Sequence, residues 1–237
     1  MKSPYPTARP GVFFRPPARV RPRSGRLPRS VLVLGGCRSG KTAWAEAAGL
    51  EWAGKMPGND QRRLVYIATA LAGDGDPAMQ ARIARHRALR DPSWRTLEAP
   101  LDLPEALAGV LAGTFEPPGE AALPPQAVLI DCITVWLANL MAAGHDQAAI
   151  LDRADRLAEF LRDPACLVLL VSNETGLGVA PSTALGNQFR DLAGLVNQKL
   201  AKSCGDVYLI VSGLPQQLKS VSETLARRKF RPCRVCT

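Results

Sequence analysis

A chain of 237 residues with 46% hydrophobic composition is long enough to bury one substantial core, and no apolar run reaches the length of a membrane span. The formal net charge of +9 sits at the two ends: residues 1–29 hold eight basic residues and no acidic one, and 219–237 hold six basic residues and only Glu223 as an acid. The span 30–218 is left at −4, which argues against a nucleic-acid-binding core and reads the basic ends as solvated, disordered tails.

The first thirty residues lack the apolar stretch of a secretory signal. The six cysteines are scattered without a disulfide framework, which fits a reducing cytoplasm. Cys233 and Cys236 form a single CxxC with no second ligand pair nearby, so no zinc site is expected there.

Beyond Ser30 the run Val31-Leu32-Val33-Leu34 is wholly apolar and ends in glycines, as a strand buried on both faces would be. A helix is predicted from Lys41 to about Ala53, then a strand over Leu64–Ala68 and a Gly/Asp turn at 73–76. Met79, Ile83, His86 and Arg90 recur at helical spacing, and Trp94–Glu98 reads as a short strand. After a Pro/Gly-rich loop over 115–125, Ala127–Asp131 is another buried strand, closed by a carboxylate. Helices are predicted near 133–143, 147–162 and 182–204, with strands at 166–172 and, as the last one, 207–212. This alternation predicts a single α/β domain of P-loop NTPase type, with a mainly parallel sheet flanked by helices. The domain is placed at 30–219, between an Arg/Pro-rich extension (1–29) and a basic tail (220–237).

Gly35-Gly36-Cys37-Arg38-Ser39-Gly40-Lys41-Thr42 satisfies G-x-x-x-x-G-K-[ST] in full, between a strand and a helix. Such a loop turns its backbone N–H groups, and the positive end of the helix dipole, toward phosphate. Lys41 is placed for the β- and γ-phosphates of ATP or GTP, and the Thr42 hydroxyl for Mg²⁺. Asp131, at the end of a neighbouring strand, is either a second Mg²⁺ ligand or the N-cap of the helix that follows, and both can hold. The chain lacks N-K-x-D and L-S-G-G-Q motifs, so signalling GTPases and transporter ATPases are set aside. A small-molecule kinase or nucleotidyl transferase remains.

The opening G-G-x-R-S-G-K-[ST] resembles the bifunctional adenosylcobinamide kinase / adenosylcobinamide-phosphate guanylyltransferase family of cobalamin synthesis. The likeness continues, in order, through Tyr66-Ile67-Ala68-Thr69, Arg82-Ile83-Ala84-Arg85-His86 and Trp94-Arg95-Thr96-Leu97-Glu98. It resumes at Asp131-Cys132-Ile133-Thr134 with Trp136 and Asn139, then at Ser172-Asn173-Glu174-Thr175-Gly176. Phe189-Arg190-Asp191 with Asn197 and Gln198, and Val211-Ser212-Gly213-Leu214-Pro215 with Lys219, complete it. About residues 31–219 are covered.

The resemblance implies two reactions: phosphorylation of adenosylcobinamide by ATP or GTP, then transfer of GMP from GTP onto adenosylcobinamide phosphate. It implies that His86 carries GMP as a phosphoramidate; on residue pattern alone, a lone histidine on a helical stripe reads as surface or packing. It also implies nucleotide contacts at Ala68, Thr69 and Ala70. Arg87 and Arg90 are placed to offset phosphate charge. Glu98 is either an acceptor for guanine or sugar donors or a plain strand-end carboxylate. A homo-oligomer, with a trimer the state suggested, comes from the resemblance as well. The chain departs from the family pattern at Asp76-Pro77-Ala78-Met79, where acidic residues are common, at Cys37 in place of Ala, and at Asp131 where some relatives have Glu. The alternatives are a P-loop kinase of another small hydroxylated substrate and, from the binding class, a nucleic-acid protein using its arginine tails.

Overall fold

The computed structural model describes residues 30–54, 63–70, 77–115 and 125–220. The predicted extension 1–29, the tail beyond Ser220 with Cys233 and Cys236, the predicted turn at 73–76 and most of the loop over 115–125 lie outside these residues. Among the described residues seven strands form one sheet: β1 (Ser30–Gly35), β2 (Leu64–Ala68), β3 (Trp94–Glu98), β4 (Ala127–Asp131), β5 (Leu167–Val171), β6 (Asp206–Val211) and β7 (Leu214–Lys219). Their order across the sheet is β3-β2-β4-β5-β1-β6-β7, with every pair parallel except β6 and β7. The helices described between them are α1 (Lys41–Gly54), α2 (Pro77–Leu89), α3 (Leu103–Leu111), α4 (Ile133–Ala142), α5 (Gln147–Phe160) and α6 (Ala184–Ser203).

The two-residue alternation of each strand feeds two cores. From β1, Leu32 and Leu34 join Ile130, Trp136, Leu157 and Val196 on one face, while Val31 and Val33 join Trp44, Tyr66, Trp94 and Leu129 on the other. Both faces are covered by helices, which is why β1, β4 and β5 read as unbroken apolar runs. Gly49 of α1 is required by this packing. A Cβ there would fall 2.6 Å from the Trp94 ring.

The sheet corrects one sequence expectation. The strand predicted as last is followed by β7, which turns back antiparallel on β6. Ser212 (φ 51°) and Gly213 (φ 82°) both take left-handed backbone, the geometry of a tight two-residue hairpin. Leu-Pro-Gln-Gln-Leu-Lys gave little strand signal because β7 is an edge strand, mostly exposed. Lys219 at its end donates from Nζ to the carbonyls of Ala201, Lys202 and Cys204 at 2.6–3.0 Å, satisfying the last turn of α6. Helix α3, with Pro104 in its first turn, was also not anticipated.

Parallel pairing brings the carboxyl ends of the strands to one edge. In register, Glu98 lies beside Ala68, Ala68 beside Asp131, and Asp131 beside Val171. Gly35 ends β1 on the same edge. In an open α/β sheet this edge is where ligands bind.

Candidate active site

The loop leaving β1 can curl only because its glycines lack side chains. A Cβ on Gly35 (φ 154°) would meet the Ile210 carbonyl oxygen at 2.5 Å and Ser39 Oγ at 2.7 Å. A Cβ on Gly40 (φ 94°) would fall 3.4 Å from Gly213 Cα in the β6–β7 turn, and Gly213 donates its N–H to the Ser39 carbonyl at 2.8 Å. The hairpin that the sequence did not announce therefore braces the phosphate loop. Lys41 is buried, and its Nζ donates to the Gly36 carbonyl at 2.6 Å, so the ammonium lies within the curl of the loop.

Thr42 Oγ1 donates to Asp131 Oδ2 at 2.9 Å, which joins the start of α1 to the end of β4. Tyr66 from β2 donates its hydroxyl to the same oxygen at 2.6 Å. The N-cap position of the helix after Asp131 falls on Cys132, whose side chain makes no capping bond, so the N-cap reading of Asp131 does not hold. The Asp131–Cys132 peptide is cis. Thr69 is fully buried: its hydroxyl donates to the Cys132 carbonyl and accepts from the Cys132 N–H, each at 2.8 Å. Thr69 thus holds the strand ends together from behind. Its hydroxyl is engaged twice and sealed from solvent, while its neighbours Ala68 and Ala70 line the cleft.

Two adjoining hollows open over this edge. One, about 320 Å³, is lined by Cys37 through Ala43, with Arg85, His86, Asp131, Cys132, Val135, Val171 and Asn173 around it. That volume is in the range of small-molecule sites. The second is lined by Tyr66, Ala68, Ala70, Ile83, Arg87 and Arg90. Thr42, His86, Asp131, Cys132 and Val135 border both, so the two are halves of one cleft. His86, half-buried on α2, stands where they meet.

The arginines beside it differ. Arg87 is half-exposed and ion-paired with Glu98. Glu98 thereby sits behind Arg87, which itself borders the cleft. Arg90 is almost fully buried: its guanidinium carbon lies 3.2 Å from the Tyr66 ring centroid, Nη1 donates to Thr96 Oγ1 at 2.7 Å, and Nε is 3.5 Å from Glu46 Oε1. Its charge is largely matched inside the protein, although Arg90 still borders the cleft. Glu46 was missed from sequence, where it looks like an ordinary helix residue. Burial pushes its carboxyl up to about 7, against the pull of Arg90, with the Asp131 charge adding to the rise. Burial, with the Asp131 carboxylate beside it, also raises the Tyr66 hydroxyl far above its usual range, so Tyr66 stays a donor.

With this geometry in view, comparison with known proteins is decisive. Residues 31–218 match the family described as cobinamide kinase / cobinamide phosphate guanyltransferase. The chain belongs to this family. Within it, the bifunctional adenosylcobalamin biosynthesis protein CobP of Pseudomonas aeruginosa is 41% identical over 188 residues, covering 79% of this chain and 96% of that protein. The bifunctional CobU proteins of Salmonella typhimurium and Escherichia coli are 36% and 34% identical over 202 residues, covering 80% of this chain and 99% of theirs. The family match coincides with the alternating strands and helices from β1 to β7. No helix among the described residues is long and apolar enough to cross a membrane.

Proposed function

We infer that this chain phosphorylates adenosylcobinamide with ATP or GTP and then transfers GMP from GTP to adenosylcobinamide phosphate, with His86 as the GMP carrier. Family membership supports the pair of reactions. The position of His86, bordering both the phosphate-loop half of the cleft and the adjoining half, carries the assignment of the carrier. A triphosphate seated on Gly35–Thr42 would present its α-phosphorus toward such a residue. Imidazole is a competent nucleophile near neutral pH and needs one free ring nitrogen. Lys41 and the loop N–H groups would hold the β- and γ-phosphates in both steps. Gly36, Cys37, Arg38, Ser39 and Gly40 complete that cradle, while Ala68, Ala70 and Arg87 would border the nucleoside or the cobinamide end.

Thr42 and Asp131 fit Mg²⁺, because both offer hard oxygen atoms to one point at the loop's end. When bound, the ion would offset charge on the phosphoryl oxygens. Tyr66 would orient the Asp131 carboxylate by donating to Oδ2. We place the catalytic domain at 30–219, in the cytoplasm. A homo-oligomer belongs to the same proposal and is supported by exposed Leu177 (81%), Val179 (98%) and Leu185 (66%).

The test is incubation with GTP labelled at the α-phosphate, followed by denaturation. A protein–GMP bond that is acid-labile and alkali-stable is expected. A chain that phosphorylates cobinamide but never acquires label would leave only the kinase.

A further inference from the structure

Three arginines follow one another within six residues of α2 and its end, and the structure treats them unequally. Arg87 is matched to Glu98, and Arg90 is matched to Glu46, Thr96 and the Tyr66 ring. Arg85 is exposed and has no ion pair or hydrogen bond among the described residues. It also lines a different region. Arg85 borders the phosphate-loop half of the cleft with Cys37–Thr42 and His86, whereas Arg87 and Arg90 border the other half.

We propose that Arg85 is a catalytic cation of this enzyme, contacting the β- and γ-phosphates of the nucleotide seated on the phosphate loop. The inference rests on the reading of His86 as GMP carrier. In guanylyl transfer a bond forms between an imidazole nitrogen of His86 and the α-phosphorus. The bond from that phosphorus to the β-bridging oxygen breaks, and pyrophosphate leaves with the electron pair. Negative charge therefore grows on the two phosphates that the loop holds. Lys41 lies within the loop and meets them from one side. Arg38 belongs to the loop itself, so a further cation from the His86 side must come from a residue of α2 whose charge is uncommitted, and Arg85 meets that condition where Arg87 and Arg90 do not. Its guanidinium cannot lose its proton and can grip two phosphate oxygens at once. Being next in sequence to His86, it would arrive at the phosphates whenever α2 brings the nucleophile to them. The same contact serves the kinase step, where charge also shifts among the terminal phosphates.

The experiment measures adduct formation in a single turnover at saturating α-labelled GTP, for the full chain and for Arg85→Ala, Arg85→Gln and Arg85→Lys. Discharge of the preformed protein–GMP bond by added pyrophosphate is followed in the same preparations. Arg156→Ala, which removes an exposed charge paired with Glu105 far along the chain, controls for net charge. Loss of one such stabilising group is expected to slow the Ala and Gln variants about 10²-fold in both directions. Lys restores part of the rate, and Arg156→Ala stays normal. Adduct formation by folded Arg85→Ala within about twofold of the unmodified chain overturns the assignment. Absence of any adduct in the unmodified chain overturns the histidine-carrier reading, and this inference with it.

Discussion

Arg90 lies over the ring of Tyr66, its guanidinium carbon 3.2 Å from the ring centroid, while the hydroxyl of that same ring donates to Asp131 at 2.6 Å. The end of the histidine helix is thereby tied to the carboxylate at the foot of the phosphate loop. A cation over an aromatic face is attracted by the ring's quadrupole, and burial strengthens the effect. One stack thus positions both the helix that bears His86 and the carboxylate that faces Thr42.

Tyr66→Phe separates those two duties, because phenylalanine keeps the ring under Arg90 and removes only the donor to Asp131. A hydrogen bond to a charged group contributes roughly 1.5–3 kcal/mol. The expected outcome is a roughly tenfold or greater fall in the kinase rate, with a rise in the Mg²⁺ concentration needed for half-maximal activity. Stability should fall by a similar amount, so the Mg²⁺ dependence is the deciding readout. An unaltered Mg²⁺ titration would show that Tyr66 is a packing residue and does not orient Asp131.

Glu46 gives a prediction in pH. Its carboxyl rises from 4.5 to about 7 on folding, so between those values the folded state holds a proton that the unfolded state has released. Its contribution to stability is therefore fully present below pH 4.5 and is lost as pH rises through about 7. A shift of that size corresponds to about 3 kcal/mol. Glu46→Gln keeps the shape without the titration. Across pH 5 to 8 the unmodified chain should lose stability relative to the variant, as followed by urea unfolding. A constant difference between the two across this window would mean that Glu46 ionises normally.

Lys219 tests the hairpin. Its ammonium satisfies three carbonyls at the end of α6, and burial holds its pKa below the usual lysine value. Lys219→Met strands those carbonyls and should lower stability by about 1–2 kcal/mol, read from the denaturant midpoint. A chain that ends after residue 219 should keep both activities. A folded truncation without either activity would show that the basic tail takes part in catalysis.

Most of the sheet was legible because two-sided burial writes itself as apolar runs, as in Val31–Leu34 and Ala127–Ile130. The phosphate loop was legible because its glycines and Lys41-Thr42 are fixed by backbone shape and charge. Edge strand β7 was not, since exposed positions obey no hydrophobic period. Nor were Tyr66 and Glu46 as parts of the site: one reads as a core aromatic of β2 and the other as a helix carboxylate, and only the fold brings them to Arg90. The unequal arginines show the same limit. Arg85, Arg87 and Arg90 are equivalent on paper, and their partners Glu98 and Glu46 lie eleven residues on and forty-four residues back from Arg87 and Arg90 respectively.

The division of labour between Lys41 and His86 is the sharpest consequence of one cleft serving two reactions. Lys41 lies within the loop that would hold the β- and γ-phosphates, which both steps require. Lys41→Ala should therefore depress phosphorylation and guanylylation together, by about 10²-fold or more. On the proposed reading, His86 is needed only where a nucleophile must reach the α-phosphorus, and alanine supplies none. His86→Ala should abolish the protein–GMP bond and the formation of adenosylcobinamide-GDP, while phosphorylation of adenosylcobinamide continues. The substitution falls on α2, where alanine is the best helix former, so the fold should survive. Arg85, Arg87 and Arg90 remain in place, so lost charge cannot explain a selective defect. Label retained on folded His86→Ala would move the carrier to another residue. Loss of both activities would make His86 a nucleotide-binding residue shared by the two steps.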